Sequence, residues 1–191
     1  MPQHKPAPAI SSTPLAFTAS DPLLASFPPV VARDTHTLIL GSLPGAASLA
    51  KRQYYGHPRN AFWPLVGDAL GVDLAGMDYA ARLPVLLAHG IGLWDVIATA
   101  RRLGSLDSAI RDHVHNDLLD LLDKLPHLHT IGFNGGTAAK IGMKALGERA
   151  GDYRIVMLPS SSPAYATLGY AEKLASWLAL TREGGNINGD G

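Results

Sequence analysis

Residues 53–63 read Gln-Tyr-Tyr-Gly-His-Pro-Arg-Asn-Ala-Phe-Trp. Amide, imidazole, guanidinium and phenol groups stand side by side there, and an apolar core has little use for them. Just upstream, the apolar run Leu38-Ile39-Leu40 breaks into Gly41-Ser42-Leu43-Pro44-Gly45. A buried strand opens into a functional loop in this way. No Asp or Glu lies between Asp34 and Asp68, so Lys51, Arg52 and Arg59, with His36 and His57, are unopposed locally. Such a stretch suits a polyanion with flat bases: charge for phosphate, rings for stacking, an amide for hydrogen bonds.

Each candidate also has a plainer reading. Asn60 is either a functional amide or the N-cap of a helix starting at Ala61, and the two are compatible. Tyr54 and Tyr55 either stack on a ligand or pack with a wet hydroxyl. Ser42 and nearby backbone N–H groups could hold a phosphate, although the spaced Gly-Lys-Ser/Thr of a P-loop is missing. Phe62 and Trp63 read as core. Asp95, between Trp94 and Val96, needs a partner: a buried salt bridge or a bound group. Asn134, ahead of Gly135-Gly136, is a turn residue or a reader of base edges. Ser160, Ser161 and Ser162 lie between Pro159 and Pro163 in a second acid-free stretch, from Asp152 to Glu172. They suit an anion or a plain loop. His113, His115, His127 and His129 have poor metal spacing and no accompanying carboxylate pattern, so no metal is expected.

These side chains need a frame. The strands read as 36–40, 91–97, 129–133 and 154–158, apolar throughout. Helices are expected over 21–27 (a short turn opened by Asp21-Pro22), 61–70 closed by Gly71, and 78–89 capped by Asp78 with Pro84 inside. Further helices follow at 116–125 capped by Asn116, from Gly135-Gly136 to Gly147, and over 168–181. In the 116–125 helix, Leu118, Leu119, Leu121, Leu122 and Leu125 form the apolar face. Strands apolar at every position and alternating with helices predict a parallel sheet covered on both sides. Ligands bind such sheets beyond the carboxyl ends of the strands, where all four candidate loops fall.

The chain has 191 residues, with 47% hydrophobic and 17% charged content, which predicts one compact domain over 21–182. Residues 1–20 and 183–191 read as polar, aperiodic tails. A net charge of zero argues against a purely electrostatic, histone-like binder but allows a local basic face. The absence of cysteine excludes disulfides, thiolate zinc sites and cysteine-held clusters. With no secretion signal or membrane-length apolar run, a cytoplasmic monomer with no membrane partner is expected.

Taken in order, the two opening motifs, Leu93-Trp94-Asp95-Val96, Phe133-Asn134-Gly135 and Leu158-Pro159-Ser160-Ser161-Ser162-Pro163 resemble the hypoxanthine-DNA (deoxyinosine) glycosylase branch of the uracil-DNA glycosylase superfamily. The resemblance covers roughly residues 30–180. It implies a three-layer α/β/α sandwich around a four-stranded, mostly parallel sheet, with no metal and no cofactor. It gives Asn60 the catalytic role and puts Tyr55 where an aromatic stacks on the flipped base. The 159–163 segment falls where the superfamily presses into the duplex and holds phosphate. Leu43 and Leu158 stand where uracil-excising members often carry Asp or Asn, and His or Asn. That shifts weight away from uracil and onto Asn60.

The function expected is a monofunctional DNA glycosylase acting on DNA with deaminated bases, chiefly hypoxanthine. Substrate contacts would come from Ser42, Leu43, Tyr55, His57, Asp95 and Asn134, and duplex contacts from Arg59, Ser160, Ser161 and Ser162. The rivals are a non-catalytic nucleotide- or DNA-binding module on the same fold, a uracil-preferring glycosylase, and a serine hydrolase using Ser160–Ser162. The last lacks the Gly-x-Ser-x-Gly elbow.

Overall fold

The structure, a computed structural model, describes residues 22–181. Both tails assigned from the sequence, and Asp21, lie outside the described residues.

The strands are β1 (Leu23–Ala25), β2 (Thr37–Gly41), β3 (Ile91–Asp95), β4 (Ile97–Arg101), β5 (Arg111–His115), β6 (Thr130–Asn134) and β7 (Arg154–Leu158). The helices are α1 (Ala46–Lys51), α2 (Phe62–Leu70), α3 (Tyr79–Ala88), α4 (Leu118–Asp123), α5 (Gly136–Leu146) and α6 (Tyr170–Trp177). The central sheet runs β3-β2-β6-β7, every pair parallel. Its residues alternate between two apolar layers, as the two-residue period of a strand requires. Leu38, Leu40, Ile131 and Phe133 pack on α4 and α5, with Leu118, Leu122 and Leu146. Ile39, Leu93, Val156 and Leu158 pack on α2, α3 and α6, with Phe62, Leu86 and Trp177. The expected α/β/α sandwich is therefore present.

A second sheet, β1-β4-β5, is antiparallel and was not anticipated. Only Val96 separates β3 from β4, so the apolar segment read as one strand serves two sheets. The Val96 and Ile97 N–H groups donate to the carbonyls of Gly41 and Ser42 at 2.9 and 3.1 Å, which ties this switch to the first motif. The expected helical turn at 21–27 is instead β1, because residues 23–25 pair with Thr99–Arg101 of β4. Tertiary pairing overrides the local proline signal there.

Several helix details also differ. α1 falls within a stretch that the sequence reads as loop; it lacks a side-chain cap and ends on Arg52 in the left-handed region. Asp117, not Asn116, caps α4, its carboxylate accepting the Asp120 N–H at 3.1 Å. Asn116 is used otherwise: its amide donates to the Asp95 carbonyl at 2.7 Å and to Ser26 Oγ at 3.1 Å. Leu119 points outward, while Leu118, Leu121, Leu122 and Leu125 are buried. Asp78 holds the N-cap position of α3 without a side-chain cap bond. Pro84 sits inside α3, and α6 is shorter than expected, followed by a 3-10 turn over Leu178–Leu180. Among the described residues no helix is long and apolar enough to cross a membrane.

Candidate active site

The parallel register brings Gly41 directly beside Asp95, and Asn134 beside Leu158, at the carboxyl edge of the sheet. Four loops leave that edge and enclose a cleft of about 630 Å³. Its walls include Ser42, Tyr55, His57, Asn60, Asp95, Asn134 and Ser160–Ser162, so stretches far apart in the chain converge as a doubly covered sheet requires.

The Tyr-Tyr-Gly turn is held by α1. The Gly56 N–H donates to Ser48 Oγ, and the Gln53 N–H to the Ser48 carbonyl, each at 3.0 Å. Tyr55 adopts a left-handed φ of 54°, uncommon for a bulky side chain and typical of strained functional turns. Its ring lies flat on Phe62, with centroids 3.6 Å apart and planes 8° from parallel. Phe62 thus backs one face, and Tyr55 borders the cleft. Tyr54 does different work. Its hydroxyl donates to the carbonyls of Phe27 and Pro28, and its carbonyl accepts the Trp63 indole N–H at 3.1 Å. Phe62 and Trp63 are buried core, as expected.

Asn60 sits at the cleft wall where α2 begins. Its Oδ1 accepts the Phe62 N–H at 3.0 Å, so it caps α2 from the position before the N-cap residue Ala61, and among the described residues no hydrogen bond engages its NH₂. The preceding turn is closed by the Asn60 N–H on the His57 carbonyl at 2.9 Å and by the Arg59 N–H on His57 Nδ1 at 3.1 Å. The Arg59 side chain is exposed.

Asp95 is 3% exposed, and among the described residues its Oδ2 has no hydrogen-bond partner. Burial and the negative charge of Asp107 push its carboxyl up to about 7, with Arg102 acting in the opposite sense. The Tyr55 hydroxyl is buried and unpartnered as well. Burial and the Asp95 charge raise it above the ordinary tyrosine range, and the neighbouring Asn134 amide counters this without reaching hydrogen-bonding geometry. Gly41 makes this crowding possible: a Cβ there would lie 2.6 Å from Asp95 Oδ1 and 3.0 Å from the Tyr55 oxygen.

Not every expected contact is present. Leu43 is 6% exposed and packs in the α4–α5 layer with Leu40 and Val96, away from the cleft wall. Its expected substrate contact is therefore corrected: the apolar side chain turns into the core. Asn134 gives its side chain to the Ser161 backbone and hydroxyl. Ser160 Oγ accepts the Ser162 N–H, and Ser162 Oγ accepts the Ala164 N–H, each at 3.2 Å. None of the three serine hydroxyls hydrogen-bonds a histidine, so a hydrolase triad is absent among the described residues.

Residues 104–108 read in the sequence as a turn, yet Ser105, Leu106, Asp107 and Ser108 line the far rim of the cleft. Ser42 Oγ donates to Asp107 Oδ1 at 2.7 Å. The Ala46 N–H donates to Ser105 Oγ at 3.0 Å. Arg102, buried, donates to the carbonyls of Gly104, Leu43 and Pro44 and so locks this rim to the first motif. Burial lowers its guanidinium from the ordinary range, and the charges of Asp107 and Asp95 oppose that. Acid-free in sequence, the motif therefore meets two carboxylates in space. Among the described residues, no three His, Cys, Asp or Glu side chains group as a metal site.

The chain belongs to the Uracil DNA glycosylase superfamily, whose family model matches residues 28–181. It is similar to two proteins named Hypoxanthine DNA glycosylase. The one from Methanosarcina barkeri is 45% identical over 140 residues, spanning 72% of this chain and 85% of the relative. The one from Methanosarcina acetivorans is 44% identical over 140 residues with the same coverage. The solution structure of a candidate uracil DNA glycosylase from Methanosarcina acetivorans superposes with a TM-score of 0.74 at 41% identity, covering 83% of this chain and 96% of that one.

Proposed function

We propose that this protein is a monofunctional DNA glycosylase that flips deaminated bases, chiefly hypoxanthine, out of DNA and hydrolyses their glycosidic bond as a first step of base excision repair. The observation that carries the reading is the cleft of about 630 Å³ bordered by Tyr55, its ring backed by Phe62, and by the buried Asp95. The two Methanosarcina relatives named for hypoxanthine support the choice of base.

The glycosidic bond is inaccessible inside the stack, so the nucleotide must leave it. Tyr55 stacks on the extruded base. Asp95, at the strand end, meets the base edge, where the N1–H and O6 of hypoxanthine offer a donor beside an acceptor. As the bond lengthens, the sugar gains positive and the base negative charge. An amide is no base at neutral pH, so Asn60 acts through its free NH₂, donating to the departing base. The capped Oδ1 fixes where that NH₂ points. Arg59 and the 160–162 loop, with its serine and backbone donors, hold phosphates either side of the flipped nucleotide. Every group in this scheme comes from one chain, which supports a monomeric enzyme; the reading places it in the cytoplasm and routes no step through a metal or cofactor.

The test is a panel of end-labelled oligonucleotides, each with one uracil, hypoxanthine or xanthine, treated with protein and then alkali. Strand scission at hypoxanthine is expected. Tight binding with every base left in place would favour a non-catalytic module, and scission at uracil alone a uracil-preferring enzyme.

A further inference from the structure

We infer that Asp107 is the carboxylate that orients the attacking water in this cleft and faces the positive charge developing on the sugar. The assignment rests on the glycosylase reading.

The first motif itself offers no such group. Leu43 is apolar and turned into the core, and the Asn60 oxygen already accepts the Phe62 N–H. Yet hydrolysis needs a water placed on C1′ opposite the leaving base, and a negative group there stabilises the cationic sugar. Asp107 reaches the cleft from a different part of the chain, the β4–β5 connection. One carboxylate oxygen is fixed by the Ser42 hydroxyl at 2.7 Å. Its loop is pinned to the same motif through Arg102 and Ser105. Asp107 is only half-buried, which leaves it open to solvent water, whereas Asp95 is sealed at the floor with an unpartnered oxygen.

Two carboxylates facing one cleft in unlike surroundings divide acid and base work. Here the buried Asp95 takes the base edge and Asp107 takes the water. The water oxygen bonds to C1′, the C1′–N9 pair departs with hypoxanthine, and the water proton passes to the Asp107 carboxylate. The groups facing Asp107 are Asp95 on β3, the Tyr55 hydroxyl, and Arg102 just beyond β4; its charge perturbs all three.

The experiment is single-turnover hypoxanthine release against pH for the parent, Asp107→Asn and Ser42→Ala. Melting temperature and affinity for a duplex with an uncleavable fluorinated deoxyinosine are measured alongside. Asparagine still accepts the Ser42 hydrogen, so a purely structural role predicts little change. The assignment predicts a loss of about a hundredfold or more, typical of a missing general base, with melting and binding kept. The limb due to Asp95 should move to lower pH once a neighbouring negative charge is gone. Ser42→Ala, which frees the held carboxylate oxygen, should slow release while lesion-duplex affinity is kept. Asp107→Asn at the parental rate, or slowed with an unchanged pH profile, overturns the assignment. If Asp107→Asn fails to fold, Ser42→Ala at the parental rate overturns it. A parent that releases no base refutes the glycosylase reading and this assignment with it.

Discussion

Asn134 and Ser161 grip each other reciprocally. The Asn134 Oδ1 accepts the Ser161 N–H and its NH₂ donates to Ser161 Oγ, both at 2.9 Å. The Ser161 carbonyl in turn accepts the Ala61 N–H at 3.0 Å. The end of β6 therefore fixes the serine loop, and the serine loop fixes the residue after Asn60. Asn134→Ala leaves a buried N–H and hydroxyl unpaired, at a cost of about 1–3 kcal/mol. It should also slow release of hypoxanthine and any other excised base by a similar factor, because it acts by misplacing Asn60. Thermal melting and a rate comparison across bases check this; a base-selective loss would restore Asn134 as a reader of the base edge.

The two adjacent tyrosines should separate cleanly. Tyr55→Ala removes the stacking surface and should weaken the flipped state by about 1–3 kcal/mol, read as affinity for an uncleavable lesion duplex. Tyr54 is 3% exposed and hydrogen-bonded to the 27–28 backbone. Tyr54→Ala should cost stability instead, about 3–5 kcal/mol as for other large buried rings, measured in urea. Tyr55→Phe deletes an unpartnered buried hydroxyl and should leave the melting temperature unchanged or higher.

The same contrast explains what was legible in the sequence. The central strands declare themselves because Leu38–Leu40 or Ile131–Phe133 are buried on both faces and carry no polar position. β5 is exposed at every residue, so Arg111–His115 shows no apolar period for a reader to find. β1 is three residues long and exists only through β4. In the site, Asn60 and Tyr55 were visible because polar and aromatic groups crowd one short stretch. Asp107 and Arg102 were not, since a lone Asp in a Gly/Ser turn looks like surface until Ser42 is folded against it.

The buried Asp95 makes stability pH-dependent. Below about pH 4 both folded and unfolded states hold the proton, and there is no penalty. Between there and the folded-state value of about 7, only the folded state keeps it, so stability falls as pH rises and the full cost is present above 7. From a starting value of 3.8 the loss is on the order of 4 kcal/mol. Asp95→Asn should abolish this slope and be the more stable protein at pH 7.5, while losing hypoxanthine release. Urea midpoints of both proteins from pH 4 to 8 provide the comparison, and parallel profiles would contradict it.

Leu43 invites a substitution that the fold argues against. Judged from the sequence, Leu43→Asn would restore a polar group beside the sugar and raise uracil excision. In the structure the side chain is packed among Leu40, Val96 and their neighbours. An asparagine there would lose apolar burial and leave an amide without partners, costing about 2–5 kcal/mol. The expected outcome is a lower melting temperature and no gain on uracil-containing oligonucleotides.

The proposed scheme gives Asn60 two functions on two ends of one amide, and they can be taken apart. Its oxygen caps α2 through the Phe62 N–H at 3.0 Å; losing a cap costs about 1 kcal/mol. In the proposed scheme its NH₂ donates to the departing base, and removing one preorganised donor at a developing charge costs about a hundred- to a thousandfold in rate. Asn60→Ala should show both losses. Asn60→Asp keeps an oxygen for the Phe62 N–H, so melting should stay near the parental value. It replaces the donor with a negative charge facing a departing anion, so hypoxanthine release should fall at least as far as in the alanine variant. Single-turnover release and melting on the same preparations decide the matter. A folded Asn60→Ala that frees hypoxanthine at the parental rate would reduce Asn60 to a helix cap.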